Sequence, residues 1–214
     1  MIRLGRDYGS GELFYFKKKN IMKTGLIAGS VVLIILLALA FYQYGKFIPT
    51  FTATHTPLSA EQIQQLKQNK PVTSIEVFKR QRILQLKHQQ EVIRSYPMRL
   101  GFDPIGHKQF EGDGKTPEGT YSIDWRNPQS AYYKSLHISY PNKTDMTYAQ
   151  QHNRSAGGNV MIHGTVPTRA TSFPASARYM PRKDWTLGCI AVTNSDIDEI
   201  WQLVADHTPI IIHP

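Results

Sequence analysis

With 214 residues, 41% of them hydrophobic, and a formal charge of +9, the chain suits one ordinary domain plus an extension and is too apolar to be disordered. A basic balance fits an anionic polymer or a membrane surface as partner. Nucleic acid is set aside, because the sequence has no basic helix, no aromatic–basic repeat and no nucleic-acid motif.

The amino-terminal part reads as a membrane anchor. Residues 25–42, GLIAGSVVLIILLALAFY, carry no charge. At about 1.5 Å per residue such a helix spans roughly 27 Å, close to the hydrocarbon thickness of a bilayer. A cleaved signal peptide is the rival, but its apolar region runs only about 7–15 residues. This run also exits through Phe41, Tyr42, Tyr44 and Phe47, side chains that suit a membrane interface. Before it stand Arg3, Arg6, Lys17, Lys18, Lys19 and Lys23 against Asp7 and Glu12, a net +4; just after it stands only Lys46. The charge asymmetry predicts residues 1–24 in the cytoplasm, a transmembrane helix over 25–44 and everything beyond outside. Residues 45–71 read as a linker, with Pro49, Pro57 and Pro71, and with Ser59 placed to cap a short helix through Gln62.

From Val72 the apolar pattern changes to period two, and residues 72–214 read as the functional domain. Three antiparallel strands are predicted through Ile75 and Val77, Ile83 to Leu86, and Val92 to Leu100, with turns at 79–81 and 88–90. Residues 111–119, EGDGKTPEG, form a loop dense in turn formers. Further strands are expected at 120–124, 135–140, 159–162, 189–192 and 209–212, with a short helix at 145–151. A second helix runs to about Val204, capped by Asn194 or Ser195, with Asp196, Asp198 and Glu199 in its first turn. The fold class is mainly β, with one or two helices.

The chain has one cysteine, Cys189, so no internal disulfide is possible. A lone thiol is most often a buried apolar group. Here it follows Gly188 between a loop and a strand, and His163 ends an apolar strand upstream. An imidazole beside a thiol can take its proton and yield a thiolate–imidazolium pair, the nucleophile of acyl transfer. Gly188 lets the main chain approach closely, and the N–H groups of Leu187, Gly188 and Cys189 are candidate donors to an oxyanion. The other histidines compete weakly: His137 lies in a strand, whereas His107 and His152 sit in polar segments and are expected to be solvated. No pair of potential ligands at short spacing suggests a metal, no cofactor is expected, and no Gly-x-Ser-x-Gly suggests a serine hydrolase. Asp113 and Glu118 read as a structural wall rather than an acid–base pair. Trp185 reads as packing beside the thiol or binding sugar, and Trp201 as core.

The run Gly112-Asp113-Gly114-Lys115-Thr116-Pro117-Glu118-Gly119-Thr120-Tyr121, then Ile162-His163-Gly164, then Gly188-Cys189-Ile190 with Asn194 five positions on, resembles the L,D-transpeptidase catalytic domain (YkuD-like) family, and more closely its YafK-like branch. The resemblance implies an L,D-transpeptidase-like β-sandwich acting on peptidoglycan stem peptides. It implies Cys189 as nucleophile and His163 as base, Gly164 as the main-chain group orienting the imidazole, and Trp185, Thr186, Arg178 and Asn194 near the substrate. The chemistry implied is loss of the terminal D-residue of a stem tetrapeptide and acyl transfer to an amine, giving a cross-link or an attached lipoprotein; water as acceptor gives hydrolysis. It also implies an enzyme held on the bacterial inner membrane with its domain in the periplasm. The sequence departs from the family pattern where Leu187 stands for a histidine and Ala191 for an arginine. Arg169, Arg178 and Arg182 are the candidates for a replacement cation.

Overall fold

The computed structural model describes residues 29–44, 56–165 and 178–214. The basic amino terminus, residues 25–28, Phe47 and Arg169 therefore lie outside the described residues. The chain divides into two compact units between Lys46 and Phe47. In the first, residues 29–44 are helical (α1) and solvent-exposed throughout, their apolar side chains included. No helix among the described residues is long and apolar enough to cross a membrane.

The second unit begins earlier than the expected boundary at 72. Helix α2 (Ala60–Asn69) starts at Ser59, whose side chain accepts from Gln62 N while the Gln62 side chain accepts from Ser59 N. That reciprocal cap is the one the sequence predicts. The helix is not a free spacer, however. Ile63 is buried in the domain core, with Leu58 and Leu66 packed against it. A single apolar face every three to four residues was enough to dock it.

Strands β1 (Ser74–Phe78), β2 (Ile83–His88) and β3 (Glu91–Pro97) form an antiparallel meander. The alternation that predicts them reflects real burial: Ile75 and Val77 of β1, and Leu84 and Leu86 of β2, are fully buried. Arg82 and Gln89 take the left-handed conformation in the two turns. Strand β4 (Gly119–Ser130) is twelve residues long, far beyond the expected 120–124. Asn127, Pro128 and two irregularities in its register hide the second half from a search for strict alternation. It pairs with β5 (Tyr133–Ile138), and helix α3 (Lys143–Gln151) follows, capped by Asn142. Strands β6 (Met161–His163) and β7 (Ile190–Ala191) then pair in parallel. Helix α4 (Asn194–Leu203) is capped by Thr193, one residue before the nearer of the two expected caps, its hydroxyl accepting from Asp196 N. Strand β8 (Pro209–His213) closes the fold.

The strand order is β3-β2-β1-β8-β4-β5-β6-β7. The mainly β expectation holds, and the hydrogen-bonded order runs through all eight strands. β4 joins its two halves: residues 119–122 pair with β8, and residues from Ile123 onward pair with β5. The β1–β8 and β6–β7 pairs are parallel and the other pairings antiparallel. Register aligns Leu86, Ile75 and Ile210 as one rung and Leu84, Val77 and Ile212 as the next. Each such buried side chain contributes about 1.5–3 kcal/mol relative to exposure. Helix α4 buries Ile197, Ile200 and Leu203. Its buried Glu199 accepts from Leu58 N, the Arg94 guanidinium and the Tyr96 hydroxyl, tying the helix to β3 and to the approach to α2. Trp201 is half-buried against the core with the Arg126 guanidinium over its ring.

Candidate active site

The thiol sits on a turn that the Thr186 hydroxyl organises. Thr186 Oγ1 donates to Cys189 O (2.7 Å) and accepts from Gly188 N (3.1 Å). Gly188 has φ +137°, and a Cβ there would meet Lys115 O at 2.6 Å. The glycine is required both by its backbone conformation and by the close approach of the 112–119 loop. That loop is rigid for a clear reason. Asp113 accepts from Lys108 Nζ and from the N–H groups of Gln109, Phe110 and Lys115. Burial pushes its carboxyl up, but those four donors outweigh burial and hold it below the usual carboxylate range. Glu118 accepts from the buried Lys79 ammonium. Both acids serve as walls, as the sequence suggests.

Cys189 is half-buried. Its Sγ accepts from Met161 N at 3.4 Å and lies 3.6 Å from Asn159 O. In the parallel β6–β7 pair, Ile162 faces Ile190 and His163 faces Ala191. Ala191 and His163 share one side of the pair, and Cys189 stands just before β7 with its sulfur against Met161 N, two residues along β6 from His163.

His163 is only 5% exposed. Its Nδ1 lies 2.6 Å from Gly164 O. A carbonyl can only accept, so Nδ1 carries the hydrogen and Nε2 keeps the lone pair. The main-chain oxygen of Gly164 is thus the orienting group. Gly164 must be glycine, since a Cβ would run into Asn194 Oδ1 and Tyr132 O. Tyr132 lies tilted over the imidazole at 5.0 Å between ring centres, and Trp185 meets it edge-on at 5.8 Å.

Burial sets the electrostatics. It lowers the His163 imidazole from 6.5 to about 4, against the hydrogen bond to Gly164. It raises the Cys189 thiol, only partly offset by the Met161 N–H and the charge of Lys108. The resting pair is neutral thiol with neutral imidazole. Burial thus works against both charged forms at rest, and proton transfer from the thiol to the imidazole is the step the sequence reading requires.

The other expected site residues divide. Leu187 is 74% exposed, and among the described residues the N–H groups of Leu187 and Cys189 have no partner. Gly188 N is already bonded to Thr186, which removes it as an oxyanion donor. Thr186 is buried beneath the turn and acts as its clamp rather than a substrate contact. Trp185 packs on Tyr132 and His163, and its Nε1 is buried with no partner. Asn194 is buried against the Gly164 turn, not open to a cleft. Arg178 is exposed, away from any contact the structure describes with the thiol. His107 is not merely solvated: Nε2 meets Asp145 at 3.1 Å and Nδ1 accepts from Glu118 N. His137 pairs with Asp124 and stacks on Trp125, and His152 is exposed with its Nδ1 on Tyr148 O. Among the described residues no three His, Cys, Asp or Glu side chains gather into a potential metal site.

Sequence reasoning missed Tyr132, which lies over the imidazole, and Lys108, whose charge acts on the thiol. Tyr132 sits in a turn, where nothing in the local pattern points at a histidine thirty residues away.

A β domain with a thiol beside strand β6 and an imidazole at the end of that strand matches the model of the YkuD L,D-transpeptidase catalytic domain over residues 73–212. The chain belongs to that family. It is 35% identical over 160 residues to YafK of Escherichia coli (strain K12), provisionally designated an L,D-transpeptidase, covering 72% of this chain and 54% of YafK. It thus spans about half the length of the curated relatives it matches. Among solved structures, a single-substitution variant of the helical cell shape determining protein Pgp2 from Campylobacter jejuni superposes with a TM-score of 0.50 at 22% identity, over 71% of this chain and 52% of that one. The L,D-transpeptidase from Mycobacterium smegmatis gives a TM-score of 0.44 at 13% identity, over 67% and 59%.

Proposed function

We propose that the chain is a cysteine acyltransferase of the cell wall that acts on peptidoglycan stem tetrapeptides, with Cys189 as nucleophile and His163 as general base. The observation that carries this reading is a thiol held against Met161 N, two residues along β6 from an imidazole whose Nδ1 is fixed by Gly164 O. Family membership supports the substrate class.

In this reading the thiol proton passes to His163 Nε2 as Sγ bonds to the carbonyl carbon of the third stem residue. A neutral pair at rest means that transfer and attack are coupled. The negative charge that develops on the carbonyl oxygen is met by the N–H groups of Leu187 and Cys189. The carbon–nitrogen bond then breaks, the imidazolium returns its proton to the leaving amine of the terminal D-residue, and a thioester remains. An acceptor amine attacks the thioester, its proton goes to His163, and the thiol is restored with that proton. Water in place of the amine gives hydrolysis.

The anchor belongs to the same reading. The apolar side chains from Val31 to Leu39 stand 49–64% exposed in the helical stretch 29–44. A bilayer would cover them. With the basic flank inside, the enzyme would sit on the bacterial inner membrane and work in the periplasm, where a wall-attached lipoprotein is a further partner. The test is mass spectrometry of muropeptides after exposure to the full chain in detergent. The reading expects tetrapeptides to lose the terminal D-residue and to gain a cross-link. Unchanged tetrapeptides would contradict it, and water incorporation without cross-links would reassign it as a hydrolase.

A further inference from the structure

A groove of about 520 Å³ opens beside the thiol turn, lined by Arg82, Arg99, Phe102, Arg182, Lys183 and Asp184. Four of these six are cations and one is an acid. The acid is already engaged: Asp184 accepts from Arg82 Nε and Nη2 and from Leu100 N. Arg99 also feels the Asp184 charge, and Arg182 and Lys183 bring further positive charge to the groove. Arg182 and Lys183 are exposed, and neither has a carboxylate partner among the described residues.

The groove is built into the same framework as the thiol. Arg99 exchanges two main-chain hydrogen bonds of 2.8 Å with Ala191. Directly opposed residues of an antiparallel pair project to the same side. Ala191 in turn faces His163 across β6–β7. His163 on β6, Ala191 on β7 and Arg99 on the bridge beyond β7 therefore form a row, two residues along the chain from Cys189 at Ala191. The methyl group of Ala191 leaves room for the longer side chain beside it. The Arg99 guanidinium is steadied by Pro181 O and Met98 O, so it supplies positive charge at a defined place. Trp185 N and Thr186 N both donate to Leu100 O, and Phe102 N donates to Thr186 O. These bonds fix the distance between the groove and the turn that bears Cys189. The half-exposed Phe102 ring adds an apolar wall.

A groove of this kind selects anions that also carry aliphatic surface. We propose that it binds a carboxylate of the peptide whose carbonyl is presented to Cys189, with Arg182 and Lys183 as the donors and Arg99 as fixed background charge. The identity of the ligand rests on the peptidoglycan reading above. Of the candidates for a replacement cation, Arg182 is the one this groove selects, together with Lys183 and with Arg99 behind them.

The test uses the full chain in detergent carrying Cys189→Ala, which stops turnover. Its probes are a stem tetrapeptide and the same peptide with every carboxylate converted to an amide, and dissociation constants are read by calorimetry. The acid form should bind about tenfold more tightly than the amide, the scale of one charge-assisted contact. Adding Arg182→Gln and Lys183→Gln, both surface changes, should erase that difference, and raising salt should shrink it. Equal affinities, no binding of either peptide, or a difference that survives the double change would overturn the proposal. Thioester formation on the wild-type chain separates the two ideas. Adducts from acid and amide peptides at equal rates keep the enzyme and remove the groove. Preferential acid binding without any adduct keeps the groove and removes the enzyme.

Discussion

Replacing Thr186 by valine removes one oxygen from the centre of the thiol turn. Valine keeps the branched shape, so the change is almost purely one of hydrogen bonding. Two bonds disappear, Thr186 Oγ1 to Cys189 O and Gly188 N to Thr186 Oγ1, at a position only 4% exposed. A net bond is worth about 1 kcal/mol, and a buried group left unpaired costs about 1–3 kcal/mol. Gly188 is buried and Cys189 half-buried, so the loss should be about 3 kcal/mol, within the roughly 5–15 kcal/mol that holds an ordinary domain together. The fold should survive while the turn loosens. Urea unfolding of the two proteins reads the cost as a lower midpoint at unchanged slope. Alkylation of Cys189 reads the turn and should become faster as the sulfur gains solvent. A loss under about 0.5 kcal/mol together with unchanged alkylation would refute the claim that this hydroxyl organises the site.

Other expectations follow from the same geometry. The His163 imidazole titrates at about 4 in the folded protein against 6.5 for an ordinary histidine, so between these values the unfolded chain binds more protons. Stability should therefore fall as pH drops from 6.5 toward 4, by roughly 3 kcal/mol from this group. Denaturant titrations across that window should show the slope in the wild type and less of it in His163→Gln; identical profiles would contradict the assignment. Lys79 is 2% exposed and donates to Gly106 O, Thr116 O and Glu118. Lys79→Met should cost about 3–5 kcal/mol by leaving a carboxylate facing a buried gap, and adding Glu118→Gln should return part of it in thermal unfolding. A Lys79→Met protein as stable as wild type would contradict the pinning of the 103–118 segment.

Much of this was legible in the chain because the physics is local. The alternation in β1 and β2 is one-sided burial written directly into sequence, and Ser59 with Gln62 announces a helix start from two side chains. The lone cysteine after a glycine and the histidine at a strand end are equally local features, and the proposed chemistry rests on them. What stayed hidden depends on residues far apart in the chain. The second half of β4 is a strand because β5 lies beside it, not because Asn127 and Pro128 favour one. The docking of α2 needs Glu199 to accept from Leu58 N across 141 positions. The neutral resting state of Cys189 and His163 follows from burial, and burial at a three-residue strand end is set by the aromatic rings of Tyr132 and Trp185 packed around it. Thr186 looked like a substrate contact because only the folded turn shows where its hydroxyl is directed.

The most direct test of the account is intact-mass analysis of the full chain in detergent, quenched in acid within seconds of meeting a stem tetrapeptide. The account predicts a thioester on Cys189 with release of the terminal D-residue, slower accumulation in His163→Ala, and none in Cys189→Ala. An unmodified Cys189 in wild type while the peptide is consumed, or an adduct that persists in Cys189→Ala, would contradict it.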